Sequence, residues 1–454
     1  MDNALDKKIT IFSLIKYTMP TIIMMVFFST YTIIDGMFIS NYVGSNALAA
    51  TNIVFPVINI VIGIGVMFAT GGSAIVAKSM GEGNLDEARE KFTFITISSV
   101  SIGFIVEIIC ILFLKDIIYL LGCTDTIYPY AKDYLLYMII FTPFIILKVY
   151  FDYFLVTAGA PNLGLISSVA GGILNIILDY VFIVSFDFGV KGAALATCIG
   201  YVLPSIIAIL YFFNKKNVLH FVRPKKDMKT IIQSCSNGIS EMVNQISSGI
   251  TTFLFNIVII RFLGEDGIAA VTVILYMQFL LNSAYLGFVS GVSPRISYNY
   301  GKKDSHELYK LLRYSLIIIG VFGISIFIIS IMTSGTLISL FTSKETELYS
   351  ITLNGFLIFS ISFIFSGINI FASGMFTAYS NGKVSATLSL LRTFIFFIIG
   401  IFTLPYMFDI NGVWLVVPIA NILTSMISFF YIYKYKKEYL YEKVKLEEKN
   451  TVLG

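Results

Sequence analysis

The sequence predicts an all-α integral membrane protein with twelve transmembrane helices, arranged as two six-helix bundles that are parallel repeats of each other. Three observations predict this class: an extremely apolar composition, long hydrophobic runs at regular intervals, and internal similarity at a constant spacing. Of the 454 residues, 57% are hydrophobic and only 13% are charged. This balance is far more apolar than that of a soluble domain and is typical of a chain that lies in a bilayer.

The hydrophobic runs have the length of helical membrane spans. Each contains about 20 or more mostly apolar residues, which is too continuous for the alternating pattern of a barrel strand. We predict spans at about 14–39, 46–77, 93–114, 130–158, 163–186, 192–213, 231–260, 267–294, 311–334, 348–379, 384–407 and 411–433.

A shift of 220 residues superposes the first half of the chain on the second. It places Gly44 on Gly264 and Gly81 on Gly301, and the register holds over most of the chain, as expected for a duplication of six spans. Six is even, so both copies enter the membrane in the same direction, an arrangement found in secondary transporters. We therefore divide the chain into an N-terminal bundle (1–213), a cytoplasmic linker (214–230), a C-terminal bundle (231–437) and a cytoplasmic tail (438–454).

Basic residues predict the orientation, because lysine and arginine accumulate near cytoplasmic span ends. Twenty-five of them fall on one predicted side of the membrane, together with both chain termini. Only five fall on the other side: Lys115, Lys132, Lys191, Arg261 and Lys344. Both termini should therefore face the cytoplasm of a bacterial cell, with the chain in the inner or plasma membrane.

Several function classes are disfavoured. There is no G-x-x-x-x-G-K-[ST] phosphate loop, so ATP is not the expected energy source, and we expect neither an enzyme nor a bound cofactor. The four cysteines contain no C-x-x-C pair, and His220 and His306 have no metal-ligand partner at useful spacing. The orientation bias accounts for the net charge of +4, so nucleic acid is not an expected partner.

Two acids at membrane depth are the strongest functional candidates, because a buried charge there is costly and usually has a partner or a water-filled cavity. Asp179 lies roughly 24 Å along the fifth span, and Asp35 lies roughly 27 Å along the first, at about 1.5 Å per residue. Both spans run outward, so the carboxylates share a layer in the outer half. Asn175, one turn before Asp179, and Thr197 of the sixth span reach the same layer.

The second half lacks this set. Adding 220 converts Asp35, Asn175, Asp179 and Thr197 into apolar residues: Phe255, Ile395, Ile399 and Val417. This asymmetry favours a dedicated site in the first half over simple helix packing. Two nearby carboxylates at low dielectric must share a proton or bind a cation, and oxygen ligands suit a hard ion such as Na⁺. The coupling ion is thus H⁺ or Na⁺.

The two-times-six layout, Asp35 after Pro20, the Asn175-x-x-x-Asp179 pair and the Gly81-centred loop together resemble the multidrug and toxic compound extrusion (MATE) transporters. Within that family the chain is most similar to the bacterial branch of DinF and MepA. The resemblance implies an export antiporter whose cation site consists of Asp35, Asn175, Asp179 and Thr197.

Other polar residues at depth leave alternatives open. Glu241, Asn244, Gln245 and Asp152 are candidates for a substrate cavity, although Glu241 and its neighbours equally suit a polar helix surface. Lys148 and Asp152, at positions i and i+4, could instead neutralise each other. Glu107 either faces a cavity or pairs with a neighbour.

The leading hypothesis is therefore export of lipophilic organic cations or other small drugs by a monomeric chain in the lipid bilayer. The alternative is a flippase for a lipid-linked saccharide or cell-wall precursor, which would need a cationic cavity for a pyrophosphate. A membrane receptor is disfavoured because no soluble signalling domain accompanies the spans.

Overall fold

The computed structural model describes residues 4–339 and 342–439, and within them every regular element is a helix. The last part of the predicted tail, 440–454, and residues 340–341 lie outside the described residues. The α-helices are α1 (Ile11–Phe38), α2 (Ser45–Gly81), α3 (Leu85–Leu112), α4 (Leu114–Leu120), α5 (Tyr128–Ile140), α6 (Thr142–Thr157), α7 (Pro161–Asp179), α8 (Gly189–Phe213), α9 (Met228–Lys302), α10 (Ser305–Ser339), α11 (Glu347–Ala378), α12 (Gly382–Leu390) and α13 (Phe396–Lys434).

The described helices account for the twelve predicted spans. Ten segments are long and apolar enough to cross a membrane, and the bent pair α5–α6 makes an eleventh. The segment Gly382–Lys434 has 53 residues, or about 80 Å of helix against a hydrocarbon core of about 30 Å. Its helical geometry breaks at Phe408 and Asp409, which divides it into the eleventh and twelfth spans.

The fourth span is not one straight helix. Its halves, α5 and α6, meet at a bend of 58° beside Phe141. Pro143 lies at the start of α6, where its ring has no N–H to donate and would collide with a carbonyl one turn earlier. The predicted span is correct in its limits, and the proline causes the bend.

The first two spans of each half are joined by equivalent glycines. Gly44 has φ of 110° and Gly264 has φ of 60°, conformations that favour glycine over residues with a side chain. Gly264 interrupts α9, which therefore comprises two spans, Met228–Gly264 and Asp266–Lys302.

Chain connections define the two ends of the molecule. We call the end that carries residues 82–84, 158–160, 214–227, 303–304 and 379–381 the linker face, and the opposite end the far face. The segment 214–227 packs on α3: Arg89 Nε donates to the Val218 carbonyl at 2.9 Å, and the ring of Phe221 stacks 5.2 Å from that of Phe92. At the start of α3 the predicted charge pairing is confirmed, with Arg89–Asp86 at 2.9 Å and Lys91–Glu87 at 2.6 Å.

The halves are packed tightly near the linker face. Gly71 and Gly81 of α2 approach backbone atoms of Ser234 and Tyr298 in α9 so closely that a Cβ would collide with them. Small residues permit this kind of backbone approach between membrane helices. The linker-face half of the molecule is therefore closed between the two bundles.

Candidate cation site in the first half

Two glycines seat the helix that carries Asp179. A Cβ on Gly171 would collide with the Gly200 carbonyl of α8, and one on Gly172 would collide with the rings of Phe27 and Tyr31 on α1. Helix α7 therefore lies in close contact with both α8 and α1. This packing brings the polar residues of all three helices into one interior.

Asp35 of α1 and Asp179 at the end of α7 face each other. Their carboxyl groups lie within hydrogen-bonding range, and Asp179 is fully buried. Immediately after Asp179 the helix widens into a π-helical turn, Tyr180–Ser185, and α1 does the same at Ile39–Val43. Such wide turns frequently occur at functional sites.

Asn175 and Thr197 adjoin this pair. Asn175 Nδ2 lies 3.4 Å from the Thr197 hydroxyl, which in turn donates to the Ala193 carbonyl at 3.0 Å. The structure thus brings all four residues of the predicted cation site into one interior. Thr197 uses its hydroxyl proton on the backbone and orients the amide of Asn175.

Unpartnered oxygens define the chemistry of the site. Asp35 Oδ1, both carboxylate oxygens of Asp179 and Asn175 Oδ1 are buried and accept no hydrogen bond from another group within the described residues. Two acceptor-only carboxylates can share a hydrogen bond only when one carries a proton. The cluster therefore requires a proton or a metal cation to be stable at low dielectric.

Aromatic residues that the sequence analysis did not single out surround the acids. Tyr31 lies one turn before Asp35 and Tyr201 one turn after Thr197, and their hydroxyls lie within hydrogen-bonding range of each other. The signal was present in the sequence as the i−4 and i+4 spacings from two predicted site residues. Tyrosine is so frequent in this chain that the spacing alone did not distinguish them.

Lys148 and Asp152 form a buried ion pair at 2.8 Å, with side chains only 6% and 7% exposed. The other Asp152 oxygen accepts a hydrogen bond from Ser168 at 2.9 Å. The mutual neutralisation considered for these two residues is therefore what the structure contains.

The second-half candidates are arranged around Glu241. Asn244 Nδ2 donates to Glu241 Oε2 at 3.2 Å, and Arg392 donates to Asn244 Oδ1 at 3.2 Å. Glu241 lines a small cavity between the halves, with Tyr153, Ser290 and Thr377 on its walls.

The other proposed cavity residues do not line that cavity. Asn244 lies behind Glu241, Asp152 is engaged by Lys148, and the Cβ of Gln245 faces Gly63 of α2. Glu107 is half-buried on α3, and its Oε2 has no partner among the described residues.

The second-half equivalents of the acids require one correction. Ile395 and Ile399, predicted by the 220-residue shift, are 46% and 56% exposed. Two residues further on, Phe397 and Ile401 are buried, and the Phe397 ring lies 5.1 Å from that of Phe255. The π-helical turn Leu391–Ile395 lengthens the chain here, so the constant shift fails locally. The equivalent layer is nevertheless apolar.

Comparison with known proteins agrees with this geometry. The MatE family model matches the chain twice, at residues 20–181 and 242–403, a separation of 222 residues that matches the local shift above. Among curated relatives, the multidrug export protein MepA of Staphylococcus saprophyticus is 25% identical, with 96% of each chain covered.

Solved structures share the fold. A MATE structure in the straight conformation has a TM-score of 0.91 at 20% identity, covering 97% of this chain and 99% of that one. An outward-facing multidrug resistance MATE transporter has a TM-score of 0.90 at 21% identity, with the same coverage. Because the family model matches both halves and most of the sequence, the chain belongs to the MATE family of multidrug efflux transporters.

Proposed function

We propose that this chain is an antiporter that couples the entry of H⁺ or Na⁺ to the export of lipophilic organic cations. The observation that carries the proposal is the contact between the buried carboxyl groups of Asp35 and Asp179. Asn175 Oδ1 supplies a further unpartnered oxygen beside them. A site of this composition binds one positive charge and releases it again when its surroundings change.

The energy available from that charge is sufficient. One positive charge that moves down about 100 mV releases about 2.3 kcal/mol. At about 1.4 kcal/mol per factor of ten, this sustains a substrate gradient of roughly 40-fold. Coupling through one cation site therefore requires no phosphate chemistry.

The shape of the molecule supports alternating access. The halves are packed at the linker face, whereas a Cβ at Gly36 of α1 or Gly249 of α9, both towards the far face, would meet no atom within 4 Å. We assign the linker face to the cytoplasm of a bacterial plasma membrane, because the linker carries Lys215, Lys216 and Arg223. The conformation then opens outward, with the cation site in its outer half.

The basic residues at depth do not favour the flippase. Lys148 is paired with Asp152, and the Arg295 guanidinium lies 4.1 Å from the centre of the Tyr17 ring and donates to the Ala4 carbonyl. Arg392 is bound to Asn244. A pyrophosphate carrier would instead need cations that converge on an open cavity.

The test is efflux of ethidium from proteoliposomes that hold the full chain, with proton and sodium gradients imposed separately. The gradient that drives efflux identifies the coupling ion. Asp35→Asn and Asp179→Asn should each lower the driven rate by about tenfold or more. Asp116→Asn, which changes an exposed acid on α4, should leave it unchanged. Full gradient-driven efflux by both site variants would refute the coupling role.

A further inference from the structure

A second cation-binding arrangement lies deeper in the first half. Lys148 Nζ lies 4.7 Å from the centre of the Phe28 ring and 5.8 Å from that of Tyr201. The same nitrogen pairs with Asp152 Oδ2 at 2.8 Å. We call Phe28, Tyr201 and the Asp152 carboxylate the ammonium cage.

The parts of the cage are fixed in place from outside. Ser168 holds the second Asp152 oxygen at 2.9 Å, and the Phe28 ring packs edge-to-face on Tyr31, with centroids 5.3 Å apart. Asp152, Lys148 and Tyr201 are all at least nine-tenths buried. The cage is thus preorganised, with its occupant shielded from water.

Aromatic faces combined with a carboxylate are the chemistry that recognises organic ammonium groups. Phe28 precedes Asp35 by seven residues, so the cage lies about 10 Å from the acid pair along α1. It lies on the linker-face side of that pair, inside the same bundle.

We propose that the ammonium cage binds the cationic group of a transported substrate, and that Lys148 occupies it in the present conformation as a tethered competitor. This inference rests on the proposed export of organic cations. In a conformation closed at the linker face, a lysine that fills the cage expels the substrate cation towards the far face. Lys148 is then the residue that converts closure into release.

Removal of the competitor should strengthen binding. Lys148→Met leaves Asp152 without its internal cation, and an unpaired buried carboxylate attracts an external one. Benzyltrimethylammonium is a suitable probe, because it carries a compact quaternary ammonium group. By isothermal titration calorimetry on the detergent-solubilised full chain, Lys148→Met should bind it with an affinity about tenfold higher than the parent.

Two controls sharpen the measurement. Lys148→Arg retains a cation in the cage and should bind as weakly as the parent. In the Lys148→Met background, a further Phe28→Leu change should remove the gain. In turnover, Lys148→Met should lower both KM and kcat for the exported probe, because release becomes slow; a purely structural role would not lower KM.

A measurement on the parent chain does not depend on whether the variant folds. In protein labelled with ¹³C at the lysine ε-carbon, the Lys148 signal, assigned by its loss in Lys148→Arg, should be shifted by the neighbouring rings. Saturating benzyltrimethylammonium should move it towards the position of exposed lysines.

An unmoved signal, or an affinity in folded Lys148→Met no higher than in the parent, overturns the cage proposal. A parent that neither binds nor exports the probe overturns the substrate class instead. The binding arms use no ion gradient, so they are independent of the coupling test on Asp35 and Asp179.

Discussion

Gly81 and Gly301 occupy equivalent positions in the two halves, and each lies against the backbone of the other half. A Cβ on Gly81 would collide with the Tyr298 carbonyl, and a Cβ on Gly301 would collide with the carbonyl of Lys78. Tyr298 and Lys78 are themselves equivalent under the 220-residue shift. The contact between α2 and α9 at the linker face is therefore two-fold symmetric, and it depends on the absence of two side chains.

This symmetry predicts that Gly81→Leu and Gly301→Leu open the linker face. Cys235 reports the change, because it follows Ser234, whose carbonyl contacts Gly71 in the same interface. Its labelling by a maleimide, quantified by peptide mass spectrometry, should accelerate by about tenfold. Gly320→Ala on α10, where a Cβ meets nothing within 4 Å, should not change the rate. Unchanged labelling in both leucine variants would show that these contacts do not close the face.

The acid pair predicts a trade-off between stability and transport. In Asp35→Asn, the new amide can donate to an oxygen of Asp179 that lacks a donor among the described residues. The variant should gain about 1 kcal/mol in the free energy of unfolding, seen as a higher melting temperature in detergent at neutral pH. A lower melting temperature would mean that the carboxylates are already satisfied in the resting protein.

The second half predicts a polar residue with a structural role only. Asn369 is buried and donates to the carbonyl of Asn421 at 2.9 Å, and its Oδ1 accepts from Ser425 and Ser428 at 3.1 Å each. Asn369→Leu should cost about 2 kcal/mol of unfolding free energy, since hydrogen bonds between membrane helices contribute about 0.6 kcal/mol each on average.

Efflux per folded molecule should remain at the parent level in that variant. The exposed Asn354 on the same helix bonds Asn411 at 3.0 Å, and Asn354→Ala should change stability by less than about 0.5 kcal/mol. Loss of ion coupling in Asn369→Leu would instead indicate a functional site in the second half.

Asp227 predicts a pH-dependent helix cap. It begins α9, accepting from Lys229 N at 3.0 Å and from the Thr230 hydroxyl at 2.6 Å. The Thr230 hydrogen bond lowers the pKa of the Asp227 carboxyl below its usual value. A lowered folded pKa gives stabilisation that is complete above the unfolded value of about 3.9 and is lost as pH falls through the folded pKa.

Asp227→Ala should destabilise the chain by about 1 kcal/mol at neutral pH, measured by thermal unfolding in detergent. Asp227→Asn keeps the capping oxygen but cannot titrate, so it should reduce the loss of stability below pH 4. An identical acid profile for Asn and parent would rule out this carboxyl as the titrating group.

The spans and the acid cluster follow from the sequence because membrane insertion imposes strong, local requirements. Apolar runs must match the bilayer, and two carboxylates at the same depth, such as Asp35 and Asp179, must meet each other or a cation. Neither requirement depends on details of side-chain packing.

Other features depend on geometry that residue spacing does not encode. The π-helical turn at Leu391–Ile395 carries no composition signal, so Ile395 and Ile399 were assigned to a buried layer that Phe397 and Ile401 occupy. The approach of Phe28 and Tyr201 to Lys148 results from the packing of three helices distant in sequence. Only the Lys148–Asp152 part of that cluster lies on one helix, and it was the part anticipated.

The attachment of the linker to α3 determines where the two bundles can hinge. Val222 N donates to Thr93 Oγ1 at 3.1 Å, and Lys225 pairs with Glu90 at 3.0 Å, so residues 214–222 travel with the first bundle as part of one rigid body. Rocking of the second bundle must then be absorbed within the few residues up to Asp227, where Pro224 restricts the available backbone rotations. The pivot of the transport cycle is accordingly a short, stiff strap at one edge of the molecule, and it favours rotation about a single axis over free separation.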